Sequence, residues 1–226
     1  MLGRAAVAMW WDIAAEMDAE FEDWHTHEHM PERLSIPGFL RGTRFKGLSG
    51  EPSYFILYET RGLSTLTQGA YVERLNHPTP WSTKMMTHHR NMVRSLCRVR
   101  ASFGAGLGHV MATVRFSPLP RKAKQVAGWL SAEVLPALPA RKGLSAVHLL
   151  ESAPAQAMPK TAEQAIRGND ARADWVLLLA GYDADAVRAA LGDQGGVGAL
   201  ESHGAATGVQ VGLYTPSYSL TPQDLR

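Results

Sequence analysis

The stretch Trp24-His25-Thr26-His27-Glu28-His29-Met30-Pro31, followed by Gly38-Phe39, returns later in the chain as Trp129-Leu130-Ser131-Ala132-Glu133-Val134-Leu135-Pro136, followed by Gly143-Leu144. The matched Trp, Glu, Pro and Gly are each displaced by 105 positions. A shared offset among four identities points to a duplicated unit, and a duplication constrains the fold more than any composition does. With 226 residues, each copy has room for about 100 residues, the size of one small domain.

Hydrophobic periodicity fits the duplication. In the first half, Ala5–Ile13, Phe39–Lys46, Tyr54–Thr60 and Met92–Arg100 read as strands, with helical patterns over Met17–His29 and Leu63–Leu75. In the second half, strands are expected over His109–Phe116, Leu144–Glu151, Trp175–Tyr182 and Val209–Tyr214. Helices are expected there over Lys122–Leu138 and Asp185–Leu191. Each half is βαββαβ, the split β-α-β order of ferredoxin-like α+β units. A four-stranded antiparallel sheet with helices on one face leaves its other face bare, and two copies can shield one another. The expected fold is therefore α+β, two such units forming an intramolecular dimeric α/β barrel. The expected division is 1–103, a glycine-rich linker 104–108, and 109–226. The last part carries an insertion, 153–173, read as a surface excursion or partly helical loop.

Composition narrows the partners. The net charge is +2 with no run of like charges, which argues against nucleic acid. The apolar run at the N-terminus ends at Asp12, too short for a membrane span, and is read as a buried strand. One cysteine, Cys97, permits no internal disulfide and fits a reducing compartment, so a cytoplasmic location is expected. The Gly192–Gly198 stretch lacks the strand-to-helix setting of a nucleotide fingerprint and reads as a loop.

The chemistry-bearing residues gather around residues 24–44. On a helix, His25 and His29 stand one turn apart on one face, with His27 pointing elsewhere. A metal site needs a third ligand, which His77, His88 or His89 can supply only through tertiary contacts, and no metal is expected. Pro31 lacks an N–H and collides with the carbonyl of His27, so a kink is expected there, with Pro31 opening a short second helix to Ile36. His29 then sits at a helix N-terminus, where the neutral imidazole of a general base is favoured. Its counterpart is Val134, whereas Glu28 recurs as Glu133, which suggests a structural job for Glu28 and a functional one for His29. A hydrogen-bonded histidine in a partly buried turn is the plainer alternative. Trp10, Trp11, Trp24 and Trp81 can line an apolar pocket or belong to the core. Arg94, Arg98 and Arg100 share one strand face and can clamp a carboxylate or form solvated ion pairs.

Trp24, Glu28-His29-Met30-Pro31 and Pro37-Gly38-Phe39, followed by Arg44-Phe45, resemble the motif of EthD-like proteins in the dimeric α/β-barrel superfamily. That superfamily includes antibiotic-biosynthesis monooxygenases, muconolactone isomerase-type enzymes and haem-degrading monooxygenases. The resemblance is close over about a fifth of the chain. It implies a pocket histidine at His29. Taken with the spacing and strand-face readings above, Trp24, His25, Arg44, Trp81 and Arg94 are the candidate binding residues. It also implies a small-molecule ligand, an internal pseudo-dimer that can pair again as a homodimer, and either no cofactor or a haem. The readings are an acid/base enzyme using His29 as proton shuttle, a non-catalytic binder or structural protein, and a haem-binding protein.

Overall fold

A computed structural model describes residues 1–226 except 49–51, 68, 155–159, 169, 194–195 and 226. The strands are β1 (Ala5–Ile13), β2 (Phe39–Gly47), β3 (Tyr54–Thr60), β4 (His89–Gly104), β5 (Val110–Phe116), β6 (Leu144–Ser152), β7 (Trp175–Gly181) and β8 (Gln210–Leu220). They hydrogen-bond in the order β1-β3-β2-β8-β5-β7-β6-β4, which closes on itself as an antiparallel barrel. The fold is thus α+β, with ferredoxin-like strand order in each half. β1, β2 and the π-turn of the first half recur in the second at an offset of 105. β3 and β4 recur as β7 and β8 after the insertion.

The compact units are divided differently from the expected 1–103 and 109–226. One unit comprises Leu2–Arg98, Ala153–Arg172 and Ser217–Arg226; the other comprises Met1, Val99–Ser152 and Ala173–Pro216. β4 and β8 are longer than their apolar patterns suggest, and each contributes residues to both units. The added residues, such as Arg90 and Asn91 in β4 and Thr215, Pro216 and Ser217 in β8, carry no apolar alternation, and sequence periodicity is weak where only backbone pairing extends a strand.

In the unit carrying the histidines, β1 pairs with β3 and β4, and β3 with β2. Alternation along these strands sends Val7, Met9 and Trp11, with Ile56, Tyr58 and Leu96, into one core beneath the helices. The helices are α1 (Asp18–Trp24), α2 (Met30–Leu34), α3 (Ser64–Thr67), α4 (Gly69–Asn76) and α5 (Pro80–Met86), joined by α7 (Ala162–Arg167) of the insertion. Phe21, Met30 and Leu34 are almost wholly buried there, each contributing about 1.5–3 kcal/mol. The other unit has its own core from β5, β6 and β7 with α6 (Ala123–Trp129) and α8 (Ala184–Gly192), to which α9 (Val197–Ser202) adds Leu200.

The expected kink before Pro31 takes another form. α1 and α2 are continuous through a π-turn at His25–His29, where the Met30 N–H reaches the His25 carbonyl five residues back. One widened turn accommodates the proline, which has no N–H to give and would crowd the carbonyl four residues earlier. The second half does the same at Leu130–Val134, where the Leu135 N–H bonds the Leu130 carbonyl ahead of Pro136. Gly38 and Gly143 then turn the chain into β2 and β6 with φ of +100° and +89°. Such angles suit glycine, and a Cβ at Gly143 would lie 2.2 Å from that of Ala186.

Candidate functional site

The π-turn determines what the helix buries. Through it, Trp24, His25, His29, Met30, Arg33 and Leu34 all turn inward, while His27 is exposed beside Asp23 at 3.4 Å. π-turns of this kind are often found at functional sites. The inward residues meet side chains of β1, β3, β4, α4 and α7 around a small cavity of about 30 Å³. Its lining includes Trp11, Trp24, His25, His29, Tyr58 and His89, together with Arg33, Arg94, Glu163 and Arg167.

Three histidines stand close together. The His25 and His29 rings are 5.6 Å apart between centroids, and Trp24 lies 4.4 Å from His29. His89 packs 5.0 Å from Trp11. Burial holds all three well on the neutral side; for His29 the Arg33 guanidinium adds to it, and for His25 the Arg44 guanidinium does. His89 is depressed to about 3, by burial first and then by Arg167. Its Nδ1 lies 3.0 Å from the Met85 carbonyl, which can only accept, so Nδ1 carries the proton and Nε2 presents a lone pair. His25 Nε2 lies 3.3 Å from the Tyr58 hydroxyl. Gly42 makes room for that tyrosine, since a Cβ there would stand 2.8 Å from its ring. Among the described residues the buried Nδ1 atoms of His25 and His29 have no hydrogen-bond partner. Among the described residues no group of three His, Cys, Asp or Glu is placed to hold a metal ion.

Glu28 is a scaffold residue. Its Oε1 accepts from Trp24 Nε1 at 3.1 Å, Thr79 Oγ1 at 2.5 Å and Ser82 Oγ at 3.3 Å. Thr79 also caps α5 by accepting from the Ser82 N–H at 2.9 Å. One carboxylate therefore fixes the Trp24 ring and the start of α5.

The insertion reaches the cavity. α7 is capped by Thr161 and anchored by the Ala162 N–H on Asn76 Oδ1 at 3.1 Å. It places Glu163, which is 3% exposed, against Arg33, with Arg167 at 3.6 Å. Arg33 also pairs with Glu32 at 3.0 Å, and Arg167 with Asp170 at 3.0 Å. Burial opposes the Arg33 charge, but Glu163 and Glu32 outweigh it and hold the guanidinium firmly protonated. Burial also pushes the Glu32 carboxyl up.

Of the residues singled out from sequence, the cavity gathers His29, Trp24, His25 and Arg94, together with Trp11. Arg44 is not among them: it braces the helix, donating from Nη1 to the Glu22 carbonyl at 2.9 Å and to Thr26 Oγ1 at 3.0 Å. Trp81 lies at the edge of the core with its Nε1 on Glu20 at 3.2 Å. Trp10, on the opposite strand face from Trp11, stacks on Phe55 at 4.9 Å. Arg98 and Arg100 are exposed, and Arg100 pairs with Glu151 at 3.3 Å. Sequence reasoning missed Tyr58, Tyr71, Arg33, Glu163 and Arg167, and it noted His89 without placing it. The only signal for the insertion residues was a capped Thr161-x-Glu163 followed by Arg167 one turn on, inside an Ala- and Pro-rich stretch.

The closed antiparallel strand order and the ferredoxin-like layout are those of the dimeric α/β-barrel fold. No family model matches the chain, and no curated protein matches it. Solved structures do. An anthrone oxidase-like protein superposes with a TM-score of 0.65 at 13% identity, over 98% of this chain and 94% of its own. A chlorite dismutase from Candidatus Nitrospira defluvii gives 0.54 at 10%, over 94% and 91%. A major regulator of staphylococcal pathogenesis gives 0.52 at 11%, over 94% and 99%. Each of these carries both halves in one chain. Their described roles differ, so the likeness is one of fold, and chemistry has to be argued from the site.

Proposed function

We propose that the chain is a small-molecule enzyme of this barrel fold in which His29 acts as acid/base without a bound cofactor. The reaction class is isomerisation, cyclisation, decarboxylation or oxygenation of an apolar or aromatic substrate. The observation that carries this reading is a buried, neutral His29 lining the cavity with an unpartnered Nδ1, between the Trp24 face and the Arg33 charge. A neutral imidazole can take up a proton, and a nearby guanidinium steadies the anion left behind. The EthD-like motif and the anthrone oxidase-like neighbour are in keeping with it. A cytoplasmic setting goes with the reading; among the described residues no helix is long and apolar enough to cross a membrane.

The cavity volume favours a second reading. Room of about 30 Å³ suits a water or two, an order of magnitude below the ~300 Å³ of small ligand pockets. An aromatic substrate requires Met86 and Met92, flexible side chains on the lining, to repack. The alternative is a non-catalytic protein in which the histidines are packing residues. A haem, larger again than such a substrate, requires still more of the lining to move.

Substitution separates the two. With anthrones and related phenols as probes, followed by oxygen uptake and absorbance, the wild-type chain is expected to turn over. His29→Ala and His29→Gln should lower the rate by about 10²–10⁴-fold, with little change in melting temperature. A wild-type chain inert to the whole panel, together with a clear loss of stability in both variants, would establish the structural role instead.

A further inference from the structure

The ion pairs around the cavity leave one cation out. Arg33 is flanked by Glu32 and Glu163, and Arg167 by Glu163 and Asp170. Arg94 is 7% exposed, yet among the described residues it has no ion pair. Its side chain has one hydrogen bond, from Nη2 to the Tyr71 hydroxyl at 3.1 Å. Its backbone N–H is engaged separately, by the Ala171 carbonyl at 2.9 Å. A guanidinium has five N–H donors, and a phenol satisfies one of them without supplying any charge. Buried charges are ordinarily paired, because an unpaired one forfeits its hydration for nothing in return. Arg94 nevertheless stays firmly protonated: burial works against it, while Tyr71 and the more distant Asp170 and Glu163 hold it charged.

Arg94 lines the cavity. The three histidines that share this lining are held neutral, so they neither repel an incoming anion nor add a competing positive charge. Two water-sized positions are enough for the head of a carboxylate, which matches the planar fork of an arginine in size and shape. We propose that Arg94, with Tyr71 beside it, is an anion subsite of this cavity, and that the natural ligand presents a carboxylate to it. The remainder of such a ligand meets Trp11, Trp24 and the methionines. The proposal rests on the cavity being a ligand site, as above, and names the class of molecule it takes. It does not require His29 to act as a base.

Calorimetric titration with sodium formate and sodium acetate, at constant ionic strength set with chloride, tests it. The wild-type chain should bind a carboxylate saturably and in preference to chloride. Arg94→Gln should weaken binding roughly tenfold or more, the usual weight of a charge-assisted contact, and Tyr71→Phe by several-fold. Arg98→Gln, exposed on the same strand, should leave binding unchanged. Should Arg94→Gln not fold, Arg94→Lys keeps the charge without the fork and is expected to bind several-fold more weakly. No saturable binding by the wild-type chain up to tens of millimolar overturns the proposal. So does binding that survives undiminished in the Arg94 variants. Carboxylate binding by a chain that shows no turnover keeps the subsite and removes only the acid/base reading.

Discussion

Mild acid should destabilise this chain through its buried histidines, and His89 allows the effect to be sized. In the native state burial and Arg167 hold its pKa at about 3, against 6.5 for an ordinary histidine. Below pH 6.5 the unfolded chain takes up a proton that the folded chain refuses. The stability contributed by neutral His89 is therefore complete above 6.5 and is lost progressively as the pH falls towards 3. Between pH 7 and pH 5 the loss is about 2 kcal/mol for this residue alone. His25 and His29 are depressed in the same direction and add to it. Glu32, pushed up by burial, works in the opposite sense once the pH nears the carboxylate range. His89→Asn keeps a donor near the Met85 carbonyl but does not titrate. Urea unfolding followed by tryptophan fluorescence at pH 7 and pH 5 should show a pH-dependent loss about 2 kcal/mol smaller in His89→Asn than in the wild type. Equal losses in the two proteins would mean that His89 is protonated in the native state, and the description of it as a buried, neutral imidazole would be wrong.

Other substitutions test the supports of the site. Glu163→Ala leaves Arg33 buried with only Glu32 and should cost about 3–5 kcal/mol by thermal or urea unfolding. Adding Arg33→Met should recover part of that loss, since the double variant removes the stranded charge; full additivity would show that the pair does not interact. Glu28→Ala withdraws the acceptor shared by Trp24, Thr79 and Ser82 and is expected to cost about 2 kcal/mol or more, with a shift in tryptophan emission. Unchanged emission would show that Glu28 does not position the Trp24 ring.

How far the site could be read in advance differed from residue to residue. His25 and His29 were legible as a pair on one helix face because spacing along one helix is a local property; that this face turns inward was not. The Pro31 constraint was legible as well, although it is met by a π-turn instead of a break. Arg94 was legible as one of three arginines on a strand face, but not as the only one of them to be buried. Arg44 and Trp81 sit in or near the right motif and still point to other partners: α1's backbone for the first, Glu20 for the second. Glu163 and Arg167 were hidden, because nothing in an Ala- and Pro-rich insertion says which helices it will dock against.

The chain's own order of residues determined the 105-residue repeat with its matched Gly38 and Gly143, the alternation of strand faces, and the histidine pair on one helix face. These follow from backbone sterics and short-range periodicity, which act over a few residues. Only the tertiary structure decided that His89, Tyr58, Arg94 and Glu163 would share one cavity with that pair, and that Arg44 would not. Proximity between distant segments is a product of how whole elements pack and pair. No local pattern encodes it, because the same strand or helix face can be buried against many different neighbours.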